Sequence, residues 1–407
     1  MTYQIHTLPN GIRLVHKQTD SLVAHCGLTI NAGSRDEQKN EQGLAHFIEH
    51  LIFKGTQKRK AHHILSHMEN VGGEINAYTA KEDTCIYASF MHKHYARCMD
   101  LISDIVFRSV FPPKEIQKEK DVVLDEINSY RDNPSERIFD EFDNVIFYDH
   151  PLGANILGVP KTLKKFSQEN IHHFMDKNYV PHEMVLASVG RIDFKKLIYL
   201  TEKYFGEFEE KSKKFPRQKF TLYTPRNIIE KRRNHQVHCM MGNEAYHVDH
   251  SRKTSLILLN NILGGPGMNS RLNMGIREKY GFCYNLESHY QPYSDTGLFS
   301  IYLATDKGYI DKTIELVHKE LDLLRNKSLG ILQLGRAKMQ LQGQVAISLE
   351  SNLNEMLSIG KSILMYDKID TIEQINEKIE KVTAMDLMET ANEIFDPQKL
   401  SMLIYKP

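Results

Sequence analysis

The sequence predicts an α+β protein built from two similar domains. Three observations carry this. Runs that alternate apolar and polar residues are interspersed with runs at helical spacing along the whole chain. Their order in the first half recurs in the second, Ser89–Val106 matching Tyr302–Leu321 in type of element but not in residue identity. A chain of 407 residues also exceeds what one hydrophobic core ordinarily organises. The expected halves are residues 1–210 and 227–407. Between them runs the charged, proline-containing stretch Glu207–Arg226, with residues 211–226 as the linker.

The elements follow in order. Residues 11–16 alternate Ile12, Leu14 and His16 with their neighbours, and Val23–Ile30 reads as a second strand, so the two resemble a hairpin. Gly33-Ser34 closes that strand ahead of a helix carrying His46 and His50. Residues 61–71 place Ile64, Leu65, Met68 and Val71 at helical spacing. Residues 74–79 and 83–91 read as strands, and 92–109 as a helix. Phe139, Phe142, Val145, Ile146 and Phe147 mark a further amphipathic helix. In the second half a strand at 235–241 precedes a helix at 254–263. Paired strands then span 283–304, and a helix spans 309–325.

The helix after the second strand contains His46-Phe47-Ile48-Glu49-His50. Residues i and i+4 lie one above the other on a helix, so both imidazoles can reach one ion. Glu49 places a carboxylate over the same face. That is the inverted form of the zinc-peptidase helix motif, with two nitrogen ligands and a base beside the position of a metal-activated water. A third ligand is needed. Pro112–Ile127 reads as a helix opened by proline, with Ile116, Val123 and Ile127 as its apolar stripe. Glu119 and Glu126 are seven apart and share a face. One can ligate while the other supports from behind. Interleaved lysines leave a solvated acidic–basic face as the alternative.

His-x-x-Glu-His followed by a glutamate 76 positions beyond His50 resembles the pitrilysin family of zinc metallopeptidases. The flanking residues resemble its small processing-peptidase branch: Gly43-Leu44-Ala45, Phe53-Lys54-Gly55-Thr56, Gly72–Thr79 and His150–Gly158. The resemblance runs essentially end to end. It implies His46, His50 and Glu126 as ligands of one zinc ion per chain, Glu49 as general base and Glu119 as supporting carboxylate. It also implies a duplicated mixed sheet with helices packed on one face. In the second half, Arg277 and Tyr284 look like the family's substrate pair, able to hydrogen-bond a carbonyl or an oxyanion. Pro266 and Asn269 interrupt the glycine run the family often carries before Met-Ser-Ser-Arg-Leu. No Gly-Lys-Ser/Thr ending follows those glycines, so a turn opening a helix explains them better than a phosphate loop.

Composition excludes other classes. The formal charge is +0, which argues against nucleic acid and anionic membranes as partners. No apolar run approaches the roughly 20 residues that span a bilayer. The polar N-terminus is unlike a secretory signal. Five scattered cysteines, with no Cys-x-x-Cys pair, read as reduced thiols, so the expected compartment is the cytoplasm. Close histidine pairs elsewhere (His92 with His94, His235 with His238, His247 with His250) lack a partnered carboxylate motif. His62-His63 and His172-His173 are consecutive and are not expected to face together.

The expected function is therefore a zinc-dependent endopeptidase acting on peptides or unfolded segments. Asn76 and Ala77 would offer a strand edge to the substrate backbone. The family's large members hold two such two-domain halves in one chain. This chain is one half carrying both motifs, so the resemblance implies a homodimer with sites completed in trans. The alternative is a non-catalytic or heteromer-dependent subunit.

Overall fold

The structure is a computed structural model and describes residues 3–209 and 216–407. The expected linker lies partly outside the described residues. The chain forms two compact units, and neither is a contiguous half of the sequence. The first comprises residues 1–128, 154–218 and 347–369, and the second 129–153, 219–346 and 370–407.

The first unit is built on six strands: β1 (Gln4–Thr7), β2 (Arg13–Gln18), β3 (Val23–Ile30), β4 (Glu74–Thr79), β5 (Thr84–Met91) and β6 (Met184–Gly190). Their order in the sheet is β1-β2-β6-β3-β5-β4. The expected hairpin of residues 11–16 with Val23–Ile30 is not formed. β6 inserts between β2 and β3, parallel to the former and antiparallel to the latter. The hairpin at this end joins β1 to β2 across Pro9-Asn10-Gly11 instead. β6 is apolar at nearly every position and buried along its whole length, as a central strand covered on both faces must be.

Both faces are indeed covered. One packs the large core that includes Phe47, Ile48, Ile102, Ile105, Phe174 and Leu197 from four helices. The other packs Val15, Val185 and Val189 against Met356, Ile359 and Ile363 of the helix Asn352–Tyr366. The implied arrangement with helices on one face thus omits this helix, which comes from the far end of the sequence.

The second unit has five strands: β7 (Asn227–Lys231), β8 (Val237–Ala245), β9 (Cys283–Pro292), β10 (Gly297–Thr305) and β11 (Ser401–Lys406). Their order is β7-β11-β8-β10-β9, with only β7 and β11 parallel. One face carries the helices Lys253–Gly264, Ile310–Asn326 and Ala384–Ile394. The other is covered by Pro134–Ile146, whose Ile138, Phe142 and Val145 meet Met240, Tyr302 and Leu403. The two units are therefore alike in plan. Each sheet has its second face closed by one helix drawn from the other half of the sequence.

The glycines at 264–265 end the helix Lys253–Gly264, and the chain then turns into a π-helical segment, Asn273–Glu278. All five cysteines are buried and unpaired. No helix among the described residues is long and apolar enough to cross a membrane.

Candidate metal centre

The helix Leu44–Leu51 is short, with five apolar residues among its eight. Leu44, Ala45, Phe47, Ile48 and Leu51 are buried, which fixes its rotation and leaves His46, Glu49 and His50 on the one polar face. Its start is built closely. Gly43 has φ of +92°, and a Cβ there would meet the Leu157 carbonyl at 2.7 Å and Gly158 at 2.8 Å. The buried Glu37 carboxylate accepts the Gly43 and Ala45 N–H groups at 2.9 and 2.8 Å, satisfying donors that a helix start leaves open.

The helix Pro113–Arg131 supplies the carboxylates. Its buried positions are Ile116, Glu119, Val123 and Ile127, so Glu119 occupies a place in the apolar stripe. Glu126 lies about 10.5 Å further along the axis. His50 is held from both sides by this helix: its Nδ1 is 2.9 Å from Glu119 Oε1, and its Nε2 is 3.5 Å from Glu126 Oε2. His46 Nε2 is 3.7 Å from Glu126 Oε1.

Those last two separations are long for hydrogen bonds. They suit donors converging on one ion, because four ligands at about 2.1 Å in a tetrahedron stand roughly 3.4 Å apart. One donor atom from each of His46, His50 and Glu126 lies within 4.8 Å of the others. Two imidazoles and a carboxylate are a donor set that zinc accepts. The residues present therefore fit the metal.

The two imidazoles differ in their electrostatics. Burial lowers the His46 imidazole to about 4, helped by the neighbouring His50, so it stays neutral near pH 7. Burial lowers His50 too, but the Glu119 hydrogen bond and the Glu126 charge outweigh it and raise His50 overall. Burial would raise Glu119, yet its bonds to His50 and Lys54 hold it below the usual carboxylate range. Burial raises Glu49, an effect that Thr79 and His50 partly oppose.

The sequence-predicted residues divide between the units. His46, Glu49, His50, Glu119 and Glu126 are brought together in the first. Asn76 and Ala77 lie on β4, the edge strand of the same sheet. Arg277 and Tyr284 belong to the second unit. Arg277 sits in the π-helical segment with its side chain 41% exposed, near Glu278. Tyr284 is the second residue of the edge strand β9 and is 79% exposed. Contrary to expectation, the consecutive His62 and His63 rings do approach, with centroids 3.9 Å apart. Two contacts around the site escaped the sequence reading: those of Glu37 with the helix start and of Lys54 with Glu119. The signal for Glu37 is an acidic residue a few positions ahead of a helix with no N-cap side chain.

Residues 13–159 match the family described as Insulinase (Peptidase family M16), and residues 165–341 match Peptidase M16 inactive domain. A Bacillus subtilis protein named uncharacterized zinc protease YmxG is 32% identical over 391 residues, covering 96% of this chain and 95% of that one. A Rickettsia felis protein named uncharacterized zinc protease is 34% identical over 413 residues, covering 99% and 97%. The crystal structure of a protease from Helicobacter pylori superposes with a TM-score of 0.91 at 20% identity, over 100% of this chain and 99% of that one. A Pseudomonas fluorescens structure described as peptidase M16 inactive domain gives 0.93 at 19%, over 100% and 98%. At such identities these two structures speak for the fold alone. The family matches and the full-length relatives above 30% identity together place this chain in peptidase family M16, the pitrilysin family, in its small branch.

Proposed function

We propose that the protein is a zinc-dependent endopeptidase that hydrolyses peptide bonds in peptides or unfolded segments. The observation that carries this is the convergence of His46, His50 and Glu126 within 4.8 Å, on the helix face that also bears Glu49. His46, His50 and Glu126 would hold the ion. When bound, it supplies Lewis-acid activation of water at neutral pH. A Glu49 carboxylate oxygen takes a proton from the attacking water and passes it to the departing amide nitrogen. A raised carboxyl is better matched to that exchange than an ordinary one. Glu119 holds His50 through Nδ1, which leaves Nε2 for the ion. Purified chain with zinc bound and a quenched, unstructured peptide tests the reading. Zinc present with no hydrolysis would favour a non-catalytic or heteromer-dependent subunit.

β4 supports a substrate-binding role for Asn76 and Ala77, because one side of this edge strand pairs with β5 and the other ends the sheet. An extended peptide added there would be recognised through its backbone, with loose sequence preference. An Asn76→Pro variant is expected to raise KM by up to about tenfold, the worth of one backbone hydrogen bond, with zinc content unchanged. An unchanged KM would remove β4 from the proposal.

The active assembly is proposed as a homodimer in which Arg277 and Tyr284 of one chain serve the metal centre of its partner. Both donors are exposed within their own unit, as groups serving a substrate must be. The prediction is complementation. A Glu49→Gln chain mixed with an Arg277→Ala chain forms mixed dimers with one complete site each, so random exchange restores about a quarter of the sites. No recovery would assign both motifs to a site within one chain.

A further inference from the structure

We propose that Lys54 is a positioning residue for the metal centre, acting through Glu119 on His50. This rests on the zinc-site reading above. The Glu119 side chain is 6% exposed, and its two oxygens serve two different partners. Oε1 faces His50 Nδ1 at 2.9 Å, and Oε2 faces Lys54 Nζ at 2.8 Å. The carboxylate is thus held at both ends. A carboxylate behind a metal-ligating imidazole fixes the ring's tautomer and orientation. Here that carboxylate is itself oriented by a cation.

The backbone around Lys54 is built to deliver the ammonium. Its N–H donates to the Leu51 carbonyl at 3.0 Å, a tight turn directly after the helix that carries the histidines. Gly55 follows with φ of +148°, and its carbonyl accepts the Val110 N–H at 3.1 Å. Thr56 forms an antiparallel bridge with Ser109 and donates its hydroxyl to Asp104 at 2.7 Å. The stretch Phe53-Lys54-Gly55-Thr56 is therefore pinned on both sides of the lysine. An ordinary surface ion pair holds its partners loosely. This one ends on a buried carboxylate, where losing the cation strands a charge. Without Lys54, Oε2 would turn toward other donors and carry Oε1 away from His50.

The test is zinc affinity by chelator competition for the wild type, Lys54→Met, Glu119→Gln and the double variant. Lys54→Met is expected to weaken zinc binding about tenfold, the low end for an outer-shell partner. In the Glu119→Gln background the same change is expected to have no further effect, because the lysine acts through that carboxylate. The melting temperature of the metal-free proteins separates this from general destabilisation. Should Lys54→Met fail to fold, Lys54→Gln is read the same way. Zinc affinity equal to wild type, or an equal loss with and without Glu119, overturns the proposal while the metal site stands. Failure of the wild type to bind zinc overturns both.

Discussion

Replacing Glu49 by Gln is expected to leave about one zinc per chain and to lower kcat by about a thousandfold, within the range that general acid–base catalysis contributes. The change is nearly isosteric and removes only the ability to take a proton. Glu49 is not among the three donors that converge, so the ion has no reason to leave. Burial holds its carboxyl above the usual range, which marks it as the group on this face suited to exchange protons with water. The check is steady-state hydrolysis of an unstructured peptide beside zinc content by mass spectrometry. Wild-type activity in the variant would deny Glu49 the role of base.

The second large effect concerns the ion. Chelation is expected to abolish activity, and added zinc to restore it. Glu126→Gln is expected to weaken zinc binding by roughly 10²-fold or more, if a structural site's binding free energy is shared among its ligands. Glu126 is the bridging donor: one oxygen faces His46 and the other faces His50. Its loss leaves two imidazoles from one helix, which cannot close a tetrahedron. Zinc-dependent stabilisation should disappear with it, because ligand binding raises the melting temperature only where the ligand binds. Unaltered zinc affinity in Glu126→Gln would move the third ligand elsewhere.

Each half of the candidate site was legible because its spacing is local, while the link between Glu126 and the two histidines came from the family resemblance. His50 lies four positions after His46 and Glu126 seven after Glu119, so helical geometry alone aligns each pair. β4 was read with its observed bounds and β5 to within one residue, because alternation is a short-range signal. What was missed is non-local. The hairpin expected from residues 11–16 and 23–30 is displaced by β6, which lies some 150 residues further on. Nothing within either segment announces that a third strand will come between them. The same holds for the helix Asn352–Tyr366, whose partners Val15 and Val185 lie in distant parts of the chain. Lys54 escaped for a different reason. It sits beyond the end of its helix, where no periodicity applies, and its role depends on a carboxylate 65 positions away.

The borrowed helices set the order in which the protein can be finished. The ribosome makes β2, β3 and β6 early, yet the apolar face they share waits for Met356, Ile359 and Ile363. At roughly 5–20 residues per second, the stretch from residue 190 to residue 366 takes roughly 10–35 s to synthesise. During that time the nascent first sheet shows Val15, Val185 and Val189 to its surroundings. The second sheet meets the opposite circumstance, because Pro134–Ile146 exists before any strand it will cover. The unit begun first is therefore closed only after the helix Asn352–Tyr366 has been made.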